Sequence, residues 1–169
     1  MKKYFIRYHL TKWEIFVNTE LLPLDVNDNP WLYEEKMGDV EIIDTGKWML
    51  FYDKSSMNDS WLLAKKIFRE NKLKGIISMK CSTVYPNPRA STNDNGVIIL
   101  HCSYSSNEEN IINIGKRVLQ MFDYKESKFI YYEKDTQTRE GTRATGSKIN
   151  HMYKLFNSLY KNKCLIQIH

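Results

Sequence analysis

Two compact runs constrain this chain more than anything else in it: Gly46–Tyr52, GKWMLFY, and Val97–Tyr104, VIILHCSY. Both are apolar and of strand length, and the first follows a turn signal at Asp44–Thr45–Gly46, so it reads as a central strand. Between them, residues 58–71 place Trp61, Ala64, Ile67 and Phe68 on one side of a helix and Lys65, Lys66, Arg69 and Glu70 mostly outside. Ser55 or Ser56 is the expected cap and Gly75 the stop. Ile76–Cys81 resumes strand. A second helix opens at Asn107 with Glu108 and Glu109 at its positive end and continues through Ile111, Ile112, Val118, Leu119 and Phe122.

The remaining pieces fill in around these. Residues 3–17 alternate as one or two strands, and Lys128–Tyr132 is another strand. His151–Phe156 and Leu165–Ile168 supply final strands or a short helix. Residues 18–44 are broken by Pro23, by NDNP at 27–30 and by Gly38 and hold a short acidic piece at Trp31–Glu35, so they read as loop with one helical turn. The order of strands and helices is that of an α+β chain: a curved antiparallel sheet with helices packed on one face. With 169 residues and no linker or repeat, residues 1–169 are read as a single domain able to bury about 70% of its unfolded surface.

A composition of 42% hydrophobic and 13% aromatic residues excludes a disordered chain. The net charge of +5 and a pI of about 9.0 favour polyanionic partners, although the charges mostly alternate in sign, unlike the dense clusters of duplex-DNA binders. Cys81, Cys102 and Cys164 match neither a CxxC pair nor a zinc pattern, which points to a reducing compartment and to no metal or cofactor. The first sixteen residues are interrupted by Arg7, His9, Lys12 and Glu14, so no signal peptide is read there, and no run reaches membrane-spanning length. The expected setting is cytoplasmic.

Residues 134–148, KDTQTREGTRATGSK, follow the aromatic run Phe129–Tyr132 with four basic side chains, five Ser or Thr hydroxyls and two glycines. Such a stretch cannot build a core but supplies the charged and neutral donors that a phosphate needs. Its alternative is a solvated loop. Tyr131 and Tyr132 beside it can stack a base, or one can face the core while the other covers it. Trp48 and Trp61 read as core. His9-Leu10-Thr11 and His101-Cys102-Ser103 form two H-x-[ST] units, the arrangement of a two-histidine phosphoesterase in which one imidazole accepts a proton and the other donates one. The other reading makes both histidines ordinary sheet residues.

From Gly46 to Tyr153 these pieces resemble the carboxy-terminal two-thirds of the cap-binding translation initiation factor 4E family, and the basophilic-leukaemia-expressed protein family that shares its fold. GKW at 46–48, the helix holding Trp61, the strand ending in Lys80, VIILHC, NEENIINIGKR and DTQTREGT stand in the family's order. The most specific are Asn113–Ile114–Gly115–Lys116–Arg117, like the family's HIGR helix, and Asp135, Thr136, Thr138, Arg139, Gly141 and Thr142, like its DTxTKxGS loop. The resemblance implies phosphate-binding roles for Lys47, Lys80 and Arg139, with Arg89 the only basic residue in the connection that holds a further family position. It places His101 where the family has a tryptophan near the methylated base. Trp31 with Glu34 and Glu35 echoes the tryptophan–glutamate pair that holds the base, and Trp13 is either its partner or core. Arg143 and Lys148 lie beyond the match as auxiliary donors. The expectation is therefore a noncatalytic binder of a nucleotide or phosphorylated ligand, including an RNA 5′ end. The alternatives are a phosphodiesterase using His9 and His101 with Thr11 and Ser103, or His101 with Lys80, and an adaptor that binds a protein partner.

Overall fold

The computed structural model describes residues 20–35, 45–86, 94–103, 107–135 and 151–160. The apolar runs of the sequence become strands: β1 is Trp31–Glu35, β2 Gly46–Asp53, β3 Ile76–Ser82, β4 Asn95–Cys102, β5 Phe129–Lys134 and β6 Tyr153–Phe156. Helix α1 is Met57–Arg69 and α2 is Glu108–Met121, with short 3-10 turns at Pro23–Asp25 and Lys54–Ser56. The strands lie in the order β1-β3-β4-β2-β5-β6 and every neighbouring pair is antiparallel. This is the expected α+β architecture, a curved sheet with both helices on one face.

Alternation along the strands builds the core. Trp48 and Leu50 of β2, Met79 and Cys81 of β3, Ile98, Leu100 and Cys102 of β4, and Ile130 and Tyr132 of β5 all point to the helical side. There they meet Trp61, Ala64, Ile67 and Phe68 of α1 and Ile111, Ile114, Val118 and Leu119 of α2 in one cluster. Trp48 is fully buried, and its indole N–H donates to the Ile111 carbonyl at 3.3 Å, which satisfies its polar atom inside the core. Tyr132 faces the same core, so of the two adjacent tyrosines only Tyr131 looks to the other side of the sheet. Cys81 and Cys102 are buried free thiols, and burial pushes both up to about 12.

Asn107 caps α2 as its sequence predicts, its side-chain oxygen accepting from Asn110 N at 2.9 Å. Helix α1 starts differently. Ser56 stands at its N-cap, but the hydroxyl donates to the Asp53 carbonyl at 2.8 Å, because the chain enters α1 through the 3-10 turn at Lys54–Ser56. Lys65, expected on the outer face, is buried with its ammonium 2.8 Å from Glu20.

The expected helical turn within 18–44 is found at Pro23–Asp25, but Trp31–Glu35 is a strand rather than loop. Its partner β3 lies some fifty residues away in sequence, and the register Trp31↔Ser82 through Glu35↔Ser78 is set by that pairing. Strand formation here is a tertiary effect on an aromatic-rich segment. The strands expected at 3–17 and 165–168 lie outside the described residues.

Gly115 shows why the NIGKR helix needs its glycine. A Cβ at this position would stand 2.6 Å and 2.8 Å from the Trp48 ring and 3.0 Å from Leu155. Gly115→Ala gains about 1 kcal/mol of helix propensity. It also forces a fully buried indole, fixed by its hydrogen bond to Ile111, out of place, at a cost of about 1–3 kcal/mol. We expect net destabilisation of about 1 kcal/mol, measurable as a lower denaturation midpoint with an unchanged slope. A stabilised variant would mean that the Trp48 ring can move aside.

Candidate functional site

Residues that stand opposite one another in antiparallel strands share a face, and alternation repeats this every second residue. One row across the sheet is Ser78–His101–Lys47–Glu133, on β3, β4, β2 and β5. The next is Tyr33–Lys80–Ile99–Met49–Tyr131–Lys154, from β1 to β6. Trp31 sits one alternation beyond Tyr33. Trp31, Lys80, His101 and Lys47, four residues selected from sequence, therefore lie on the face opposite the helices.

Trp31 and Lys80 are in contact. The ammonium of Lys80 stands 4.4 Å from the centroid of the Trp31 ring, a cation resting on an aromatic face. The strand entry that places Trp31 is held by Trp31 N donating to the Asn29 side chain at 3.1 Å and by Thr83 Oγ1 donating to the Asn29 carbonyl.

Lys47 is less exposed than a solvent-facing phosphate ligand, at 7%. Its ammonium lies 3.1 Å from Asp135 Oδ1 and 3.8 Å from Glu133 Oε2. Thr45 Oγ1 donates to the other Asp135 oxygen at 2.5 Å, and Asp135 N donates to the Thr45 carbonyl at 3.0 Å. Burial works to raise the Asp135 carboxyl, but the hydrogen bonds from Thr45 and Lys47 together with the Lys47 charge hold it below the usual carboxylate range. His101 Nδ1 is 3.9 Å from Asp135 Oδ2. Burial pushes the imidazole down to about 4; Asp135 opposes that shift, and Lys80 and Lys47 add to it. At neutral pH His101 is thus an uncharged ring able to donate one hydrogen bond and accept another. Asp135 and Glu133 are the residues that sequence reasoning missed as members of this group. Their spacing of two, following Tyr131, is the signal that places them on its face.

Glu34 does not join Trp31. Three positions along a strand reverse the side, so Glu34 points to the helical face, where its two oxygens accept from Arg69 Nε at 2.7 Å and Arg69 Nη2 at 3.0 Å. The expectation that Trp31 and Glu34 hold a base together is corrected by this geometry. Trp48 and Trp61 are core, as read from sequence. Ser103 is described, and its backbone N–H donates to the Gly75 carbonyl at 3.3 Å. His9, Thr11, Trp13, Arg89, Arg139, Arg143 and Lys148 lie outside the described residues. Among the described residues no group of three or more His, Cys, Asp or Glu is placed to hold a metal, and no helix is long and apolar enough to cross a membrane.

Solved eIF4E structures superpose on this sheet and its helices. The fold is that of eIF4E. Ascaris suum eIF4E-3, solved with m7G cap, superposes at a TM-score of 0.54 with 15% identity over 74% of this chain and 68% of that one. C. elegans eIF4E-3, solved with the 4E-binding protein Mextli and a cap analog, gives 0.56 with 12% identity over the same shares, 74% and 68%. A schistosome eIF4E complexed with m7GpppA and 4E-BP gives 0.50 with 18% identity, covering 66% of this chain but only 58% of its own length. No protein-family model and no curated protein matches the chain. At these identities the likeness to eIF4E is one of fold.

Proposed function

We propose that this chain is a noncatalytic binder of a nucleotide or phosphorylated ligand, an RNA 5′ end included, held on the sheet face opposite the helices. The observation that carries the reading is the Lys80 ammonium poised on the Trp31 ring, on the face that also bears His101. A base can slide onto an aromatic face that a cation now covers, while the displaced ammonium moves to the phosphate. His101, neutral at pH 7, is suited to the edge or face of the base. Lys47 assists from beneath, its charge shared with Asp135 and Glu133. Arg139, Arg143, Lys148 and Arg89 complete the phosphate donors in this reading, and the setting is cytoplasmic. The eIF4E-like fold supports it, since the superposed structures carry cap nucleotides.

The experiment is a thermal-shift series with GTP, m7GpppG and inorganic triphosphate, followed by mass spectrometry of the recovered nucleotide. A rise in Tm with the nucleotide returned intact is expected, because a ligand that binds only the native state stabilises it by mass action. No rise at millimolar concentration, or a converted nucleotide, contradicts the proposal.

A second reading has its own observation. Leu62 and Leu63 on α1 are 37% and 40% exposed, an apolar spot on the helical side, and two of the superposed eIF4E structures hold a 4E-binding protein. A role as a protein adaptor on that side is compatible with ligand binding on the other.

A further inference from the structure

Strands β5 and β6, last in the described strand order, carry a second feature on the ligand face. Phe129 and Tyr131 of β5 stand opposite Phe156 and Lys154 of β6. Phe129 and Phe156 meet edge to face with centroids 5.8 Å apart, yet Phe156 leaves 58% of its surface exposed. Lys154 places its ammonium 4.0 Å from the Phe129 centroid and 5.9 Å from that of Tyr131, and Lys128 stands 5.7 Å from Phe129. Among the described residues no carboxylate lies within ion-pair distance of Lys154 or Lys128. Aromatic rings are common at protein interfaces but lysine is depleted there, so the two lysines set against these rings are what disfavours a protein partner. It has the composition of a single-strand platform, in which bases stack on rings and ammoniums track the backbone.

We infer that the β5–β6 ribbon binds single-stranded RNA, with Phe156 and Phe129 as stacking surfaces and Lys154 and Lys128 on phosphates. Strands are spaced at about 4.8 Å. Three such steps separate His101 on β4 from Phe156 on β6, so one short oligonucleotide can cover both places. The inference extends the nucleotide-binding reading to the chain that follows the first nucleotide, but it stands on different residues. Its success or failure is separable from that of the Lys80 site. The net charge of +5 favours the same class of ligand.

The test is fluorescence anisotropy with a labelled ten-nucleotide oligouridylate, using the full chain as wild type, Phe156→Ala and Lys154→Ala. Phe156 is exposed, so its truncation leaves the core intact. Phe156→Ala is expected to weaken binding roughly 5- to 100-fold, as loss of one stacked base does. Lys154→Ala is expected to lower the slope of log K against log salt by about 0.7, one single-strand phosphate contact. Both variants keep the Tm rise with GTP that wild type shows. If wild type binds no oligouridylate at low salt, or if Phe156→Ala and Lys154→Ala bind it with unchanged affinity and salt slope, the inference is overturned, whatever GTP does.

Discussion

Lys47→Met will destabilise the protein by about 3 kcal/mol, more than any surface substitution in the sheet. The ammonium of Lys47 is buried with Asp135 and Glu133, and the Glu133 side chain is itself only 6% exposed. Removing one partner of a buried ion pair withdraws compensation from charges already stripped of water, which costs about 3–5 kcal/mol. The lower end applies because Asp135 retains its hydrogen bond from Thr45 and leaves 22% of its side chain exposed. Denaturant unfolding measures the loss directly. Adding Glu133→Gln to Lys47→Met should restore part of it, since the second change removes a buried negative charge that the Lys47 ammonium compensates. A Lys47→Met protein with the wild-type midpoint would show that the three groups are hydrated rather than interdependent.

Acid should unfold the protein earlier than its carboxylates alone require, and His101 is the reason. The imidazole is held down to about 4 in the folded protein against about 6.5 when unfolded, chiefly by burial. The unfolded state therefore binds a proton that the folded state refuses. Stability from this group is complete above pH 6.5 and falls as the pH drops towards 4, by about 2–3 kcal/mol in all. Asp135 acts in a lower window: its carboxyl is depressed, so its contribution is present above its unfolded value and disappears as the pH falls through the folded one. A series of unfolding curves from pH 7 to pH 4 separates the two. Wild type should lose stability across that range, and His101→Gln, which cannot be protonated, should lose much less. Parallel pH profiles for the two proteins would remove His101 from the account.

Much of the architecture was legible because periodicity is a local property. Gly46–Tyr52, Ile76–Cys81 and Val97–Tyr104 each announce a strand through their own side chains, and Trp61 to Phe68 announce a helix face. Trp31–Glu35 does not, since a strand of five residues at the end of the described strand order acquires its identity from a partner, Ser78–Ser82, that no window around it contains. The same lack explains Glu34. Once the segment is known to be a strand, a separation of three from Trp31 puts the glutamate on the helical side, where Arg69 meets it.

The candidate site divides in the same way. His101 and Trp31 could be selected from residue type, motif and resemblance, and Lys80 from the family resemblance alone. Their shared face follows only from the registers Lys80↔Ile99 and Tyr33↔Lys80. The commitment of Lys47 to carboxylates depends on Lys47↔Glu133, a pairing of residues 86 positions apart that composition cannot announce. Gly115 stood out within the NIGKR motif, but its cause, the ring of Trp48 pressed against α2, belongs to tertiary packing.

The claim at the centre of this account is that a nucleotide is bound where Lys80 meets Trp31. Isothermal titration with GTP and with m7GpppG, on wild type and on Lys80→Ala, tests it most directly. The account predicts saturable binding by wild type and a loss of about tenfold or more in Lys80→Ala, the effect of removing one charge-assisted hydrogen bond to a phosphate, with the unfolding midpoint nearly unchanged. Equal affinities for the two proteins, or no binding by wild type, would contradict it.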